Sequence, residues 1–405
     1  MAVFITILFA LIHGGLLAAA WQAARRLEAA PPSPPAPSAW PPVRVVLPIA
    51  GVSPARQESL DDLADQDYPC FEIRLACHVA DEPACEQVRG WVQNQAKRGG
   101  APAELVLAET ARTCSQKNQN LLAALGSPGP AERVLVFTDA DYRRPPDWLR
   151  RLVAPIAEGQ PAVSSGYYHA AAGRGWRAAL RPVSALLLFL TRQHAGLRQP
   201  WGGATALSRG LFDELRVADL WASHVVDDVA LAERLRAARV PVIGINAPAL
   251  LAPAKGAEDF AWGDWFTRQL AYLRAIQPGA WAGIGAGLLL MAVSLLWMAG
   301  LLLVGGRISP AVSGLAGLDL ALLTGMGLWL RARHPRPGPR GRWLAAFFWF
   351  WLAAPICHLR TAFSRTIRWR GVRYRVGFGG RVLSTSATPT PPPASTPGEG
   401  PRRPE

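Results

Sequence analysis

Three apolar runs limit what this chain can fold into. Residues 2–21 (AVFITILFALIHGGLLAAAW), 279–304 and 311–330 are each close to the ~20 residues that cross a bilayer as a helix. Lipid offers no partner for exposed backbone N–H and C=O groups, so runs of this length have to be helical. The first run has no basic residues before it and no small-residue cleavage site after it, and Arg25 and Arg26 follow. It reads as an uncleaved anchor over residues 1–24. Asp319, inside the third run, must face protein or water rather than lipid.

The net charge of +14 is concentrated at one end: fourteen arginines and two glutamates follow Leu330. A nucleic-acid protein would carry its cations on its folded domain, interleaved with stacking aromatics. Here they flank apolar segments, which fits an anionic cytoplasmic leaflet and excludes nucleic acid as the expected partner. By the same bias, Arg25 and Arg26 place residues 27–278 in the cytoplasm, beneath an inner (plasma) membrane crossed several times. The pair of helices at 279–332 goes out and back. Residues 333–383 are expected as a basic membrane-interface segment. Within it, 343–359 is short, aromatic and interrupted by Pro355, which favours a re-entrant or interfacial stretch over a further crossing. The five cysteines lack metal-ligand spacing and are expected as reduced thiols.

Residues 25–42 are a proline-rich linker and 384–405 a low-complexity tail expected to be disordered. Between linker and membrane pair, residues 43–278 alternate apolar β-branched runs with helical segments: VRVVLPIAG, SLDDLADQ, FEIRLACHV, EQVRGWVQNQAKRG, AELVLAE, QKNQNLLAALG, VLVFTDA. That alternation predicts an α/β fold, a mostly parallel sheet flanked by helices, with transmembrane helices at both ends. Such sheets bind ligands beyond the carboxyl ends of their strands. Asp139 and Asp141 sit at one such end, in VLVFTDADYRR, and Asp81 at another. If the strand continues, the two acids of D-x-D share a face and need a cation or donors between them.

Further stations follow in order: DLADQDYPCFEI; CSQKNQNL with Lys117; FTDADYRRPPDWL; QPWGGATALSR with Trp201, Gly202 and Gly203; HVVDDVALAERL with Asp227 and Asp228; WFTRQLAYLR with Arg268 and Gln269. Together they resemble membrane-bound family 2 glycosyltransferases, particularly the ceramide glucosyltransferase-like branch that includes hopanoid glycosyltransferases. The resemblance spans about residues 43–280 and implies a GT-A-like fold and a nucleotide-sugar donor. It assigns Asp81, Lys117, Asp139, Trp201, Gly202, Gly203, Asp227, Arg268 and Gln269 to substrate binding. It gives Asp139 and Asp141 a Mg²⁺ or Mn²⁺ ion and makes Asp228 the general base. Tyr272 and Leu273 stand where a stricter Q-x-x-R-W would differ, and Ala204 where a hydroxyl is expected.

Each station alone has a plainer reading. Asp227–Asp228 can open a helix, Gly202–Gly203 can be a turn, Arg268 can snorkel at the membrane, and Lys117 can be solvated. In sequence order the plainer readings give way, and the resemblance implies single-sugar transfer, of glucose or N-acetylglucosamine type, from a UDP-sugar to a lipid hydroxyl (ceramide, sphingoid or hopanoid) with inversion. The alternatives are charging of polyprenyl phosphate, or a catalytically inactive membrane-tethered protein that binds nucleotide sugars.

Overall fold

The computed structural model describes residues 1–28, 39–126, 133–245, 250–253, 261–304 and 309–387. Most of the proline-rich linker and residues 388–405 of the tail lie outside the described residues. The chain opens with α1 (Ala2–Glu28), which runs four residues past the end of the expected anchor. A parallel sheet then builds up as β1 (Val43–Ile49), α2 (Arg56–Ala64), β2 (Phe71–His78), α3 (Glu82–Arg98), β3 (Ala103–Ala108), α4 (Gln116–Leu125) and β4 (Val134–Thr138). Next come α5 (Trp148–Ala157), β5 (Val163–Ser165), β6 (Tyr168–Ala170), α6 (Leu180–Thr191), β7 (Ala204–Ser208), α7 (Arg209–Glu214), α8 (Val217–Trp221) and α9 (Asp228–Ala237). The domain closes with β8 (Val242–Gly244), β9 (Leu250–Ala252) and α10 (Trp262–Ile276).

The main sheet has the order β3-β2-β1-β4-β7-β5-β8. β1 pairs in parallel with β2 and β4, while β7 runs antiparallel to both β4 and β5. β1 is apolar on both faces because each is covered. Val45, Leu47 and Ile49 pack with Leu60 and Leu63 of α2, and Val46 packs on the other side with Leu121 of α4 and Leu231 of α9. Each such side chain contributes about 1.5–3 kcal/mol relative to exposure.

Helices α11 (Pro278–Val304), α12 (Pro310–Ala332) and α13 (Arg340–Ala362) follow. With α1, they make four helices long and apolar enough to cross a membrane. Asp319 faces protein, as expected: its Oδ2 lies 2.7 Å from His13 Nδ1, and His13 Nε2 lies 2.8 Å from Ser294 Oγ. This buried polar chain joins α1, α11 and α12. α13 runs unbroken through Pro355. Both of its flanks contact the sheet domain: the Arg336 carbonyl accepts from Ala172 N–H at 3.3 Å, and the Ser364 carbonyl accepts from Arg274.

The residues after α13 depart from expectation. Instead of a basic membrane-interface segment followed by a tail from residue 384, β10 (Thr366–Trp369), β11 (Val372–Val376) and β12 (Val382–Ala387) form an antiparallel sheet. Ser384, Thr385 and Ser386 pair with β11. The cause is alternation: Ile367, Tyr374 and Val376 point inward and are buried with Val225, Val226 and Leu231, while Arg368 and Arg375 stay exposed. β12 is bound to the sheet domain through Val225 N–H to the Gly380 carbonyl and Val382 N–H to the Ser223 carbonyl, each 3.0 Å.

Candidate active site

A cavity of about 430 Å³ lies at the carboxyl ends of β1 and β4. The D-x-D is not a continuation of β4, because the strand ends at Thr138 and Asp139 to Asp141 turn. Both acids nevertheless line the cavity, because the turn is anchored from behind. Buried Arg144 donates to the Asp139 carbonyl and, at 2.9 Å, to Thr138 Oγ1. The Thr138 hydroxyl in turn donates to the Gly203 carbonyl at 2.8 Å.

The like charges are separated by two cations. Lys117 Nζ lies 3.3 Å from Asp139 Oδ1 and 3.0 Å from Asp227 Oδ2. Arg56 Nη2 lies 3.4 Å from Asp141 Oδ1. Lys117 is placed by helix capping: Ser115 Oγ accepts from Asn118 N–H, and Asn120 fixes α4 to β1 by donating to the Ile49 carbonyl at 2.9 Å. Burial alone would push the Lys117 ammonium down. Asp139, Asp227 and Asp228 outweigh it and hold the ammonium above its ordinary value.

Asp227 and Asp228 open α9 but are not equivalent. Asp227 is 2% exposed and committed to Lys117. Among the described residues Asp228 accepts from two backbone N–H groups, Gly202 at 3.2 Å and Val229 at 2.7 Å, and it lines the cavity. Burial, then the charge of Asp227, raise its carboxyl to about 6 against the opposing pull of Lys117. The position at a helix start predicts a favoured charge; desolvation and Asp227 are the larger effects here.

Gly202 and Gly203 are glycines because of space, since neither has a positive φ. A Cβ on Gly202 would overlap the Asp227 carboxylate and lie 2.9 Å from Lys117 Nζ; one on Gly203 would enter the Trp201 ring. Trp201 stacks on Tyr168 with centroids 5.0 Å apart and meets Tyr142 and Tyr167 edge-on. Arg268 and Gln269 of α10 line the cavity. Asp81 is not among the lining side chains; it accepts the Gly51 N–H at 2.5 Å, fixing the loop after β1.

Sequence reasoning missed several lining residues: Arg56, Tyr142, Tyr167, Tyr168, and above all Trp369, Arg370 and Tyr374 from the C-terminal sheet. A signal for the last group exists. W-R-G-V places a two-residue turn between alternating strands, a hairpin pattern.

Four acids, Asp139, Asp141, Asp227 and Asp228, line one cavity together with Arg56, Lys117 and Arg268. The family description "Glycosyl transferase family 21" matches residues 3–382. The chain belongs to that family. The transferase therefore has an expectation met at the coarser level, that of a glycosyltransferase. A solved structure similar to it is the mannosyltransferase PcManGT from Pyrobaculum calidifontis, in complex with GDP-Man and Mn²⁺. It is 19% identical over 89% of this chain and 99% of that one, with a TM-score of 0.54. The likeness shows the fold, which is GT-A-like, as expected. TarS 1-349 from S. aureus, in complex with UDP-GlcNAc, is 13% identical over 84% of this chain and 98% of that one, with a TM-score of 0.37. No curated protein sequence matches the chain.

A two-carboxylate donor set fits a hard divalent cation that completes its shell with water and phosphate oxygens. Among the described residues no cluster of three or more His, Cys, Asp or Glu forms an all-protein cage. Asp139 and Asp141, which line the same cavity, offer oxygen donors of that type.

Proposed function

We propose that this family 21 glycosyltransferase moves one sugar from a UDP-sugar to the hydroxyl of a membrane lipid, with inversion. The observation that carries the reading is the composition of the cavity wall. The cavity is lined both by the charged groups Asp139, Asp141, Arg56 and Lys117 and by apolar Leu188 of α6 and Trp265 and Leu273 of α10. Those two helices pack in one apolar cluster with α1, α11, α12 and α13. The one cavity that Asp228 lines thus offers polar groups to a donor and an apolar helix surface to a lipid acceptor.

The acceptor oxygen attacks the anomeric carbon, its proton passes to Asp228, and the bond from that carbon to the diphosphate oxygen breaks. The leaving nucleoside diphosphate carries the electron pair away. One attacking oxygen and one base give inversion. Asp141 with Asp139 would hold Mg²⁺ or Mn²⁺, which supplies Lewis-acid stabilisation of the diphosphate. Lys117 keeps Asp139 and Asp227 in place, and Arg268 offers a guanidinium from the membrane side. Trp201 and its tyrosines form an apolar-faced wall for the sugar or the acceptor. Asp81 acts on the nucleotide side through Gly51. A phosphate acceptor, as in polyprenyl charging, would need no base and would be repelled by Asp228.

Arg25 and Arg26 orient the domain towards the cytoplasm. With the C-terminal sheet bound to that same domain, α13 lies in the membrane interface rather than across the bilayer. The reading is tested by supplying radiolabelled UDP-glucose or UDP-N-acetylglucosamine to membranes containing the protein. Label is expected in the organic-extractable fraction, and its absence with both donors would count against the assignment.

A further inference from the structure

We propose that Arg370 is a donor-binding residue that holds the diphosphate, and that the C-terminal sheet completes the donor site. The inference rests on the nucleotide-sugar reading above. β10 and β11 are joined by Arg370 and Gly371 alone, because Trp369 pairs with Val372. Their φ values are 44° and 73°, the left-handed pair of a type I′ turn. Asn, Asp and Gly suit the first position of that turn, and an arginine there is strained. The strain places a long cation at the tip of the hairpin.

The tip faces the cavity rather than the membrane. Arg370 lines the cavity with Trp369 and Tyr374, and its guanidinium lies so close over Gly51 that a Cβ there would collide with it. The charged groups that act on it are Asp141 and Asp81, of opposite sign, and Arg56 and Arg268, of like sign. Arg56 is occupied by the Gly51 and Ala50 carbonyls and by Asp141. Arg370 and Arg268 have no carboxylate in ion-pair contact among the described residues. Three guanidinium groups against the two carboxylates Asp141 and Asp81 leave an excess of positive charge that an anionic ligand would offset. A diphosphate is such an anion, and the guanidinium fork matches its oxygens.

The sheet is fixed by the backbone that positions the catalytic acids. Tyr374 Oη accepts the Gln116 N–H at 3.2 Å, in the first turn of the helix that carries Lys117. The Gly380 carbonyl accepts the N–H of Val225, two residues before Asp227. The hairpin tip is therefore held in register with Lys117 and the Asp227–Asp228 pair.

The test uses the full chain in detergent with Mn²⁺. Binding of UDP, GDP and inorganic pyrophosphate is measured by calorimetry for wild type, Arg370→Asn and Arg370→Gln. Asn suits the turn and removes the charge, so its melting temperature should be unchanged or higher. Gln removes the charge and keeps the turn strain. Both variants should bind UDP or GDP, and pyrophosphate, about tenfold or more weakly. Wild-type affinity in both variants would overturn the assignment. So would loss of nucleotide with pyrophosphate binding intact, because Arg370 would then read the base. If wild type binds neither UDP nor GDP, the donor reading itself fails, and this inference with it.

Discussion

Asp228→Asn separates chemistry from folding, because the structure predicts opposite effects on the two. The Asp228 carboxyl is raised from 3.8 to about 6 by burial and by Asp227. That shift corresponds to on the order of 3 kcal/mol of cost to the ionised form. The folded-state value lies above the unfolded one, so the unfolded chain releases its proton first as pH rises. Wild type therefore loses stability between about pH 4 and pH 6 and is level above that. Asn has no proton to lose and keeps an acceptor for the Gly202 or Val229 N–H. At pH 7.5 the variant should melt a few degrees higher than wild type, and the gap should shrink towards pH 4. Transfer should fall ~10²-fold or more, with the donor KM little changed. Wild-type transfer should itself decline as pH drops through about 6. Intrinsic tryptophan fluorescence gives the melting curves, and initial rates with purified protein in nanodiscs give the kinetics. A variant that melts below wild type at pH 7.5, or transfers within fivefold of it, would refute the reasoning.

Transfer should require Mg²⁺ or Mn²⁺, and Asp141→Ala should abolish it; full activity in excess chelator would exclude the shared-ion site. Gly202→Ala forces a methyl against Asp227 and Lys117, so activity should drop at least ~10-fold while the membrane helices stay folded, a split read by rates and by circular dichroism. Ser384→Cys, in exposed β12, should resist an impermeant thiol reagent added outside intact cells and react once the membrane is opened. Labelling from outside would reverse the assigned topology.

The first four strands were legible because each is a short apolar run bounded by polar residues, and β1 is apolar on both faces; β5, β7 and β8 were not read from the sequence. The acids were legible at strand ends, though one expected reason for their placement was wrong. Asp139 and Asp141 share the cavity through a turn anchored by Arg144, not through strand alternation. Asp228 was found by motif, but its electrostatics depend on Asp227 and on burial, which no local pattern reports. The C-terminal sheet was missed because arginines beside an apolar helix carry the signature of a membrane flank. The same residues also alternate around Arg370 and Gly371. Which pattern governs depends on contact with Val225, Val226 and Leu231 and with Gln116 of α4, more than 130 residues away in sequence.

The central claim is sugar transfer to a lipid hydroxyl, and lipid mass spectrometry tests it most directly. Lipids would be extracted from a host expressing wild type, Asp228→Asn or neither. The account predicts a lipid heavier by one hexose or N-acetylhexosamine residue with wild type alone, and stable to the mild acid that cleaves sugar–phosphate links. No new glycolipid, or only an acid-labile sugar phosphate, would contradict it.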